Sequence, residues 1–355
     1  VWSASPVIQR LRRLVGRPTR TLEAVASKSW VIAPAHERVA PPALFLPGQW
    51  ERISAFSEFS SFESDLGRVR GGESVNGATR AFRMEDAVLL DGVLYKGDAC
   101  RHLHPRSSRI PRLRIDKEIE RGAVYCTFGG NRYFGQWLID DCVTYPLAAA
   151  EGVAVTTAQP VSSHTREYED WLEMRPVRSE GAFFRELVVF DDVGQNESKR
   201  ARFRALGDRL RSRVQPRRHP GVFILRGAAG SRRILRNELE IAERLRDRRG
   251  FTIVDPAKQD VPAIVQACAG AGIVVGIEGS ALIHGFLVLE SGGGVLVLQP
   301  PNRFSAINKD LTDRDHQQFG FVVGLPRGDD FWIDPDEVDR TLDLFDAQSS
   351  LREVG

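Results

Sequence analysis

GIVVGIEGSALIHGFLVLESGGGVLVLQPPNRF, residues 272–304, is the stretch that decides the fold class of this chain. Two short apolar runs, Ile273 to Ile277 and Val295 to Leu298, flank a helix-compatible segment from roughly Ser280 to Leu289. The spacing predicts a strand, a tight glycine turn, a helix and a second strand. Such a unit puts the turn Glu278-Gly279-Ser280 at the carboxyl end of its first strand, the edge where open α/β sheets bind ligands. Free backbone N–H groups and the helix dipole there favour an anion such as a phosphate.

The same alternation continues outward from this stretch. Upstream, Val222 to Leu225 and Phe251 to Val254 read as strands, and Arg236 to Arg249 and Val261 to Ala269 as helices. Downstream, Phe321 to Gly324 reads as a strand and Pro335 to Phe345 as a helix, with Asp334 as N-cap and proline at the first helical position. A basic, proline-bearing junction, Pro216 to Pro220, follows a long helix predicted from Glu197 to Arg213. Before it, residues 122–128, Val153 to Thr157 and Leu187 to Phe190 read as strands, and Gly129-Gly130-Asn131 turns the chain into a helix. Strand–helix alternation from about residue 120 implies a mainly parallel sheet.

The expected fold class is therefore α/β, with two Rossmann-like α/β domains facing a cleft. The N-terminal domain spans residues 1–215, with an irregular extension to about 115 and α/β structure from about 120. The C-terminal domain spans 216–355 and binds the ligand's phosphates. Within the extension, Pro41-Pro42 and Pro47-Gly48 are breakers, Asp91-Gly92 signals a type I′ hairpin in 86–96, and residues 7–15 suit a short basic amphipathic helix. That helix reads either as a solvated surface element or as a membrane-surface element.

Composition narrows the function classes. The chain has 355 residues, 42% hydrophobic and 27% charged, and a net charge of +2, so it carries no global signal for a polyanionic partner such as nucleic acid. No apolar run approaches the roughly 20 residues needed to span a bilayer, and no secretory apolar segment opens the sequence. The four cysteines are widely spaced, form no CxxC pair and fit reduced thiols. The expected location is cytoplasmic, with peripheral association at the inner membrane as the alternative.

Candidate site residues gather on the second half. Arg226 ends a strand at the same sheet edge as Glu278, and Arg232 and Arg233 follow the loop Gly227 to Gly230, with Asn237 and Glu238 opening the next helix. Guanidinium groups and a helix end together can hold a diphosphate. Glu278 repels a phosphate unless it accepts sugar hydroxyls or pairs with Arg226. His284 lies one turn beyond Ser280, and the Gln299-to-Phe304 segment, with Arg303, leaves the next strand at the same edge. The first half offers Asn131, Tyr133, Gln136, Trp137 and Asp140 along one helix. A carboxylate there can act as general base toward a hydroxyl. Adjacent helical acids diverge by about 100°, so Asp141 is read as a surface acid. No GxxxxGK[ST] loop, no GxGxxG after a strand and no GxSxG elbow occur. His102 and His104 lack further ligands nearby, so no metal is expected.

These residues together resemble glycosyltransferase family 61, which includes capsular-polysaccharide-biosynthesis proteins. The family's N-Y-F-H-W-x-x-D segment is matched by Asn131 to Asp140, its strand-ending arginine by Arg226, its R-R-x-x-N-E segment by Arg232 to Glu238, and its late V-G-x-H-G-A motif by Gly276 to Ala281. Gln136 and Glu278 replace histidines of that pattern, the arginine-to-asparagine spacing is one residue longer, and a bacterial subgroup is indicated. The resemblance implies a GT-B-like fold, a nucleotide-sugar donor, a saccharide or glycan acceptor, inversion at the anomeric carbon and no essential metal. It assigns Asp140 as the base, with Asn131, Tyr133, Gln136 and Trp137 on the acceptor side. Arg226, Arg232, Arg233, Asn237, Glu278, Gly279, Ser280, His284, Gln299 and Arg303 fall on the donor side. A non-catalytic sugar- or nucleotide-binding protein of the same fold is the second reading, and an NAD-dependent enzyme, lacking its fingerprint, the third.

Overall fold

Downstream of residue 216 the alternating apolar runs become a five-stranded, wholly parallel sheet. In chain order its strands are His219–Ile224, Thr252–Val254, Ala271–Ile277, Gly294–Gln299 and Gln318–Val323. Across the sheet they run second, first, third, fourth, fifth. The last two are buried along their whole length, as strands covered on both faces must be, which is why they are unbroken apolar runs. The structure is a computed structural model and describes residues 2–105, 112–227 and 232–354.

Helices Glu238–Arg249 and Val261–Cys268 connect the first three strands, and Pro335–Val354 follows the last. Asp260 caps the second of these, its carboxylate accepting from the Ala263 N–H at 2.9 Å. Ile241, Ala242 and Leu245 from the first pack with Phe223, Val275, Leu296, Val338 and Phe345 in one apolar core.

The helix expected over 280–289 is much shorter. A 3₁₀ turn, Ser280–Leu282, leads into a single α turn, Ile283–Phe286. A Cβ on Gly285 would lie 2.7 Å from Val274 Cγ1, so the segment is pressed onto its own strand. Leu287, Val288 and Leu289 are all buried, and both the Val288 and Leu289 N–H groups return to the Gly285 carbonyl.

The chain divides into two compact units. One holds residues 1–36 and 77–203, the other 37–76 and 204–355. The irregular extension expected to about residue 115 is corrected on both counts. Residues 37–76 belong with the parallel sheet. Leu44 exchanges backbone hydrogen bonds with Phe319 and Phe321, Phe45 stacks on Phe321 at 4.7 Å, and Trp50 and Phe56 pack edge-on against Phe304. Arg52 grips Glu337 through both guanidinium nitrogens. The division falls between Phe203 and Arg204, inside helix Glu197–Arg211, and not at Pro216.

Residues 28–33 and 79–102, in the other unit, supply four strands of an eight-stranded sheet: Lys28–Ala33, Thr79–Leu90, Val93–Lys96 and Ala99–His102. The strands after residue 116 pair parallel to one another, as expected, and the earlier strands make the sheet as a whole mixed. Thr79–Leu90 runs antiparallel to Gly181–Asp191, whereas Lys117–Val124 runs parallel to it and to Val153–Thr157. The cause is local. Asp91 and Gly92 both take positive φ, 45° and 69°, and a two-residue turn of that kind joins only antiparallel neighbours.

Candidate functional site

The strand order of the parallel sheet fixes where a ligand can enter. Chain winding reverses between His219–Ile224 and Ala271–Ile277, and a crevice opens beyond the carboxyl ends of strands at such a point. Arg226 leaves the first of these strands and Glu278-Gly279-Ser280 leaves the other. The sequence thus put its two strongest candidates on the two strands that form the switch point.

Gly279 has φ 142° and ψ −178°, backbone open essentially to glycine alone. A Cβ at this position would lie 2.2 Å from Arg226 Nη1 and 3.1 Å from Arg233 Nη1. Both guanidinium groups therefore close directly over the turn. Arg233 Nη1 donates to the Glu278 carbonyl at 2.9 Å and also pairs with the Glu278 carboxylate. Glu278, read as an acceptor of sugar hydroxyls or a partner of Arg226, has Arg233 as a hydrogen-bonded partner. Burial, and then the charge of Arg233, lower Arg226 below the ordinary arginine value; Glu278 and Glu238 oppose this and Arg303 adds to it. A cation crowded by cations and partly stripped of water gains when an anion arrives.

Glu238 shapes the strand exit. Its carboxylate accepts from the Arg226 N–H at 2.6 Å and the Gly227 N–H at 3.1 Å. The rest of the loop, residues 228–231, lies outside the described residues. Arg232 is directed elsewhere, largely exposed and paired with Asp330 at 3.0 Å. Of the two adjacent arginines, Arg233 is the one that reaches the turn. Asn237 is buried and committed to the backbone of Ile333, donating to its carbonyl at 2.8 Å and accepting from its N–H. Gln299 is fully buried and folds back on the Ser305 carbonyl at 2.7 Å, stapling the 300–304 loop. Arg303 lies 3.9 Å from Glu58. His284 is 2% exposed, and Ser280, half-buried, opens the short 3₁₀ turn.

In the other unit, the acid-bearing helix contains a π segment, Trp137–Asp141, between α turns Phe134–Gln136 and Cys142–Glu151. π turns inside α-helices recur at functional sites. Asp141, expected at the surface, is fully buried and accepts from the Thr127 N–H at 3.1 Å and the Thr127 hydroxyl at 2.9 Å. Burial drives its carboxyl well above the ordinary range, with the Thr127 hydrogen bonds opposing. A Cβ on Gly130 would lie 1.9 Å from Asp141 Oδ2, and one on Gly129 2.0 Å from Gln136 Oε1, so the Gly129-Gly130 pair lets the helix close on its preceding loop.

Asp140 keeps 29% of its side chain exposed. Its Oδ1 accepts from Lys199 Nζ at 2.6 Å, and the same ammonium donates to the Asp192 carbonyl at 2.7 Å. Lys199 is 1% exposed. Asp192 is held in turn by Thr79, Thr144 and both terminal nitrogens of Arg202, all at 2.7–2.8 Å. Asn131 bridges the Leu103 and Thr127 carbonyls and the Thr157 hydroxyl, a structural assignment. Tyr133 stacks under Arg132, and Trp137 is buried against Phe134.

Lys199, Asp192, Arg202 and Glu238 were not picked out as site residues. One signal for Lys199 was present: the chain has only six lysines among 49 basic residues, and two of them, Lys199 and Lys309, are buried against carboxylates. Among the described residues no cluster of histidine, cysteine or acidic side chains could hold a metal ion, and no helix is long and apolar enough to cross a membrane.

Comparison with curated proteins finds no match. The profile of the family Glycosyltransferase 61, in contrast, matches residues 41–296, well over half of the chain. That span contains the Asp140 helix, the Arg226 and Arg233 pair and the Glu278-Gly279 turn, and on this match the chain belongs to the glycosyltransferase 61 family.

Proposed function

We propose that this protein is an inverting glycosyltransferase of the GT-B-like class, moving a sugar from a nucleotide-sugar donor to a hydroxyl of a saccharide acceptor in surface or capsular polysaccharide synthesis. One observation carries the reading: Arg226 and Arg233 converge on Gly279 at the switch point of a parallel sheet. In this reading the two guanidinium groups hold the donor's diphosphate and stabilise the charge that develops as it departs. Glu278, fixed by Arg233, accepts hydroxyls of the ribose or the sugar. Arg303 adds positive charge nearby. Asn237 and Gln299 serve by holding the walls and not by touching the ligand.

Asp140 takes the proton from the acceptor hydroxyl, which attacks the anomeric carbon through an oxocarbenium-like transition state while the diphosphate leaves with the bonding pair. Lys199 fixes one carboxylate oxygen, and the exposed part of the side chain meets the acceptor. Tyr133, the residue just before the helix, and Gln136, in its first turn, are candidate acceptor contacts. All of these steps use groups of the chain itself, without a metal.

A thermal-shift screen over nucleotide sugars and nucleoside diphosphates tests the donor assignment, because a ligand bound only by the folded state raises the melting temperature. The best ligand should lose its effect in Arg226→Ala and Arg233→Ala. Absence of any stabilising nucleotide would overturn the proposal. A second reading, binding without transfer, is favoured by one feature, the ion pair that ties Asp140 to Lys199. Stabilisation by a nucleotide sugar with neither hydrolysis nor transfer would support it.

A further inference from the structure

Residues 1–22 contain five arginines and no acidic residue. Their helix, Ser5–Leu14, buries Pro6 and Gln9 against its own unit and exposes Val7, Ile8, Leu11 and Leu14, with Val15 just beyond, at 40–76%. At about 100° per residue these five side chains share an arc of about 120°. Arg10 projects from one edge of that arc and Arg12 from the other. Arg12 is anchored by Asp98 at 3.0 Å, which ties the helix to the unit behind it. Trp2, 74% exposed, precedes the helix, and exposed Arg17 and Arg20 follow it.

A soluble surface helix normally turns its apolar stripe inward. Here the stripe faces out, and the helix itself carries arginine on both flanks and no acidic residue. We propose that this helix is an interfacial anchor that docks the protein on an anionic lipid surface. Val7, Ile8, Leu11, Leu14 and Val15 enter the headgroup–acyl boundary, and Arg10, Arg17 and Arg20 meet lipid phosphates. The chemistry of the two parts selects that occupant. An apolar stripe alone would suit a second copy of the chain, but bringing two such helices together sets the arginines of one against those of the other, with Asp98 already committed to Arg12 and Arg20. An anionic membrane satisfies both parts at once.

The test is co-sedimentation of the full chain with vesicles of phosphatidylglycerol and phosphatidylcholine against vesicles of phosphatidylcholine alone. The wild-type protein should sediment with the anionic vesicles and remain in solution with the neutral ones. Because Leu11 and Leu14 are exposed, Leu11→Asp/Leu14→Asp should keep the wild-type melting temperature yet bind anionic vesicles at least about tenfold more weakly. Raising the salt should also release the wild type, since charge attraction falls off within a Debye length. Equal binding to both vesicle types, or unchanged binding by the double variant, overturns the proposal. So does a wild-type dimer in light scattering that the double variant abolishes, with no vesicle binding by either protein.

Discussion

Replacing Gly279 with alanine separates the shape of the turn from the grip of the arginines. Gly279 sits at φ 142° and ψ −178°, and holding a residue with a side chain in that region costs about 1–3 kcal/mol. For folding units of about 150–250 residues, each kcal/mol shifts the melting temperature by about 2–4 °C, so a fall of about 2–12 °C is expected. The second effect is on binding. The new Cβ would stand 2.2 Å from Arg226 Nη1, and the guanidinium group must move off the turn. As the far end of a flexible side chain it moves at little cost to stability. One charge-assisted hydrogen bond is worth about 1.5–3 kcal/mol, so losing Arg226 from a phosphate weakens binding by about 10- to 150-fold. Isothermal titration calorimetry with the tightest-binding nucleoside diphosphate reads that loss directly. Gly292→Ala is the control: φ is also positive, 84°, but nothing lies within 4 Å of its Cβ. It should lose stability and keep wild-type binding. If Gly279→Ala melts early yet binds the diphosphate as well as the wild type, the two arginines are not the phosphate grip.

Further outcomes follow from the other sites. Asp140→Asn should lower kcat by about 10²–10⁴-fold while leaving nucleoside diphosphate affinity nearly intact, and retained turnover removes Asp140 from the role of base. Lys199→Met takes a buried ammonium from between Asp140 and the Asp192 carbonyl. Because Asp140 is partly solvated, a loss of about 1–3 kcal/mol in urea unfolding is expected, and wild-type stability would refute a load on that contact. For Asp141, burial raises the folded carboxyl above its unfolded value, with the Thr127 hydrogen bonds opposing. Its contribution to stability is complete below the unfolded value of about 3.9 and is lost as pH rises through the folded one. Asp141→Asn should therefore flatten the fall in stability that sets in as pH rises above about 3.9; an unchanged slope in urea titrations contradicts this. Phe304→Ala empties a fully buried position packed by Trp50, Phe56 and Phe321 and should cost about 3–5 kcal/mol. Neutral behaviour would mean that residues 37–76 do not pack on this sheet as described.

The two halves of the chain were not equally legible. In the parallel sheet each strand is an apolar run, and the strand-exit residues Arg226 and Glu278 stand at fixed offsets from those runs. Reading the runs was enough to place the candidates at one edge. The mixed sheet hid its character because antiparallel strands entered from residues 28–102, where proline and serine in the surrounding sequence masked the alternation. Even there the Asp91-Gly92 turn was visible, as positive φ at two consecutive residues demands particular residue types. Nothing in Trp137–Asp141 announced a π turn, because its hydrogen bonds depend on what the helix packs against.

By itself, the sequence determined the parallel α/β unit, the glycine turn at its ligand edge and the supply of arginines around it. These are local properties: apolar periodicity, a backbone conformation only glycine tolerates, and charge at strand ends. Tertiary structure alone decided that Arg233 and not Arg232 reaches the turn, and that Glu278 pairs with Arg233. It also decided that Asp141 is buried while Asp140 stays open and tied to Lys199. Neighbours in sequence diverge within a few ångströms of backbone, and partners 45 or 59 residues apart meet only once the strands and helices between them have packed.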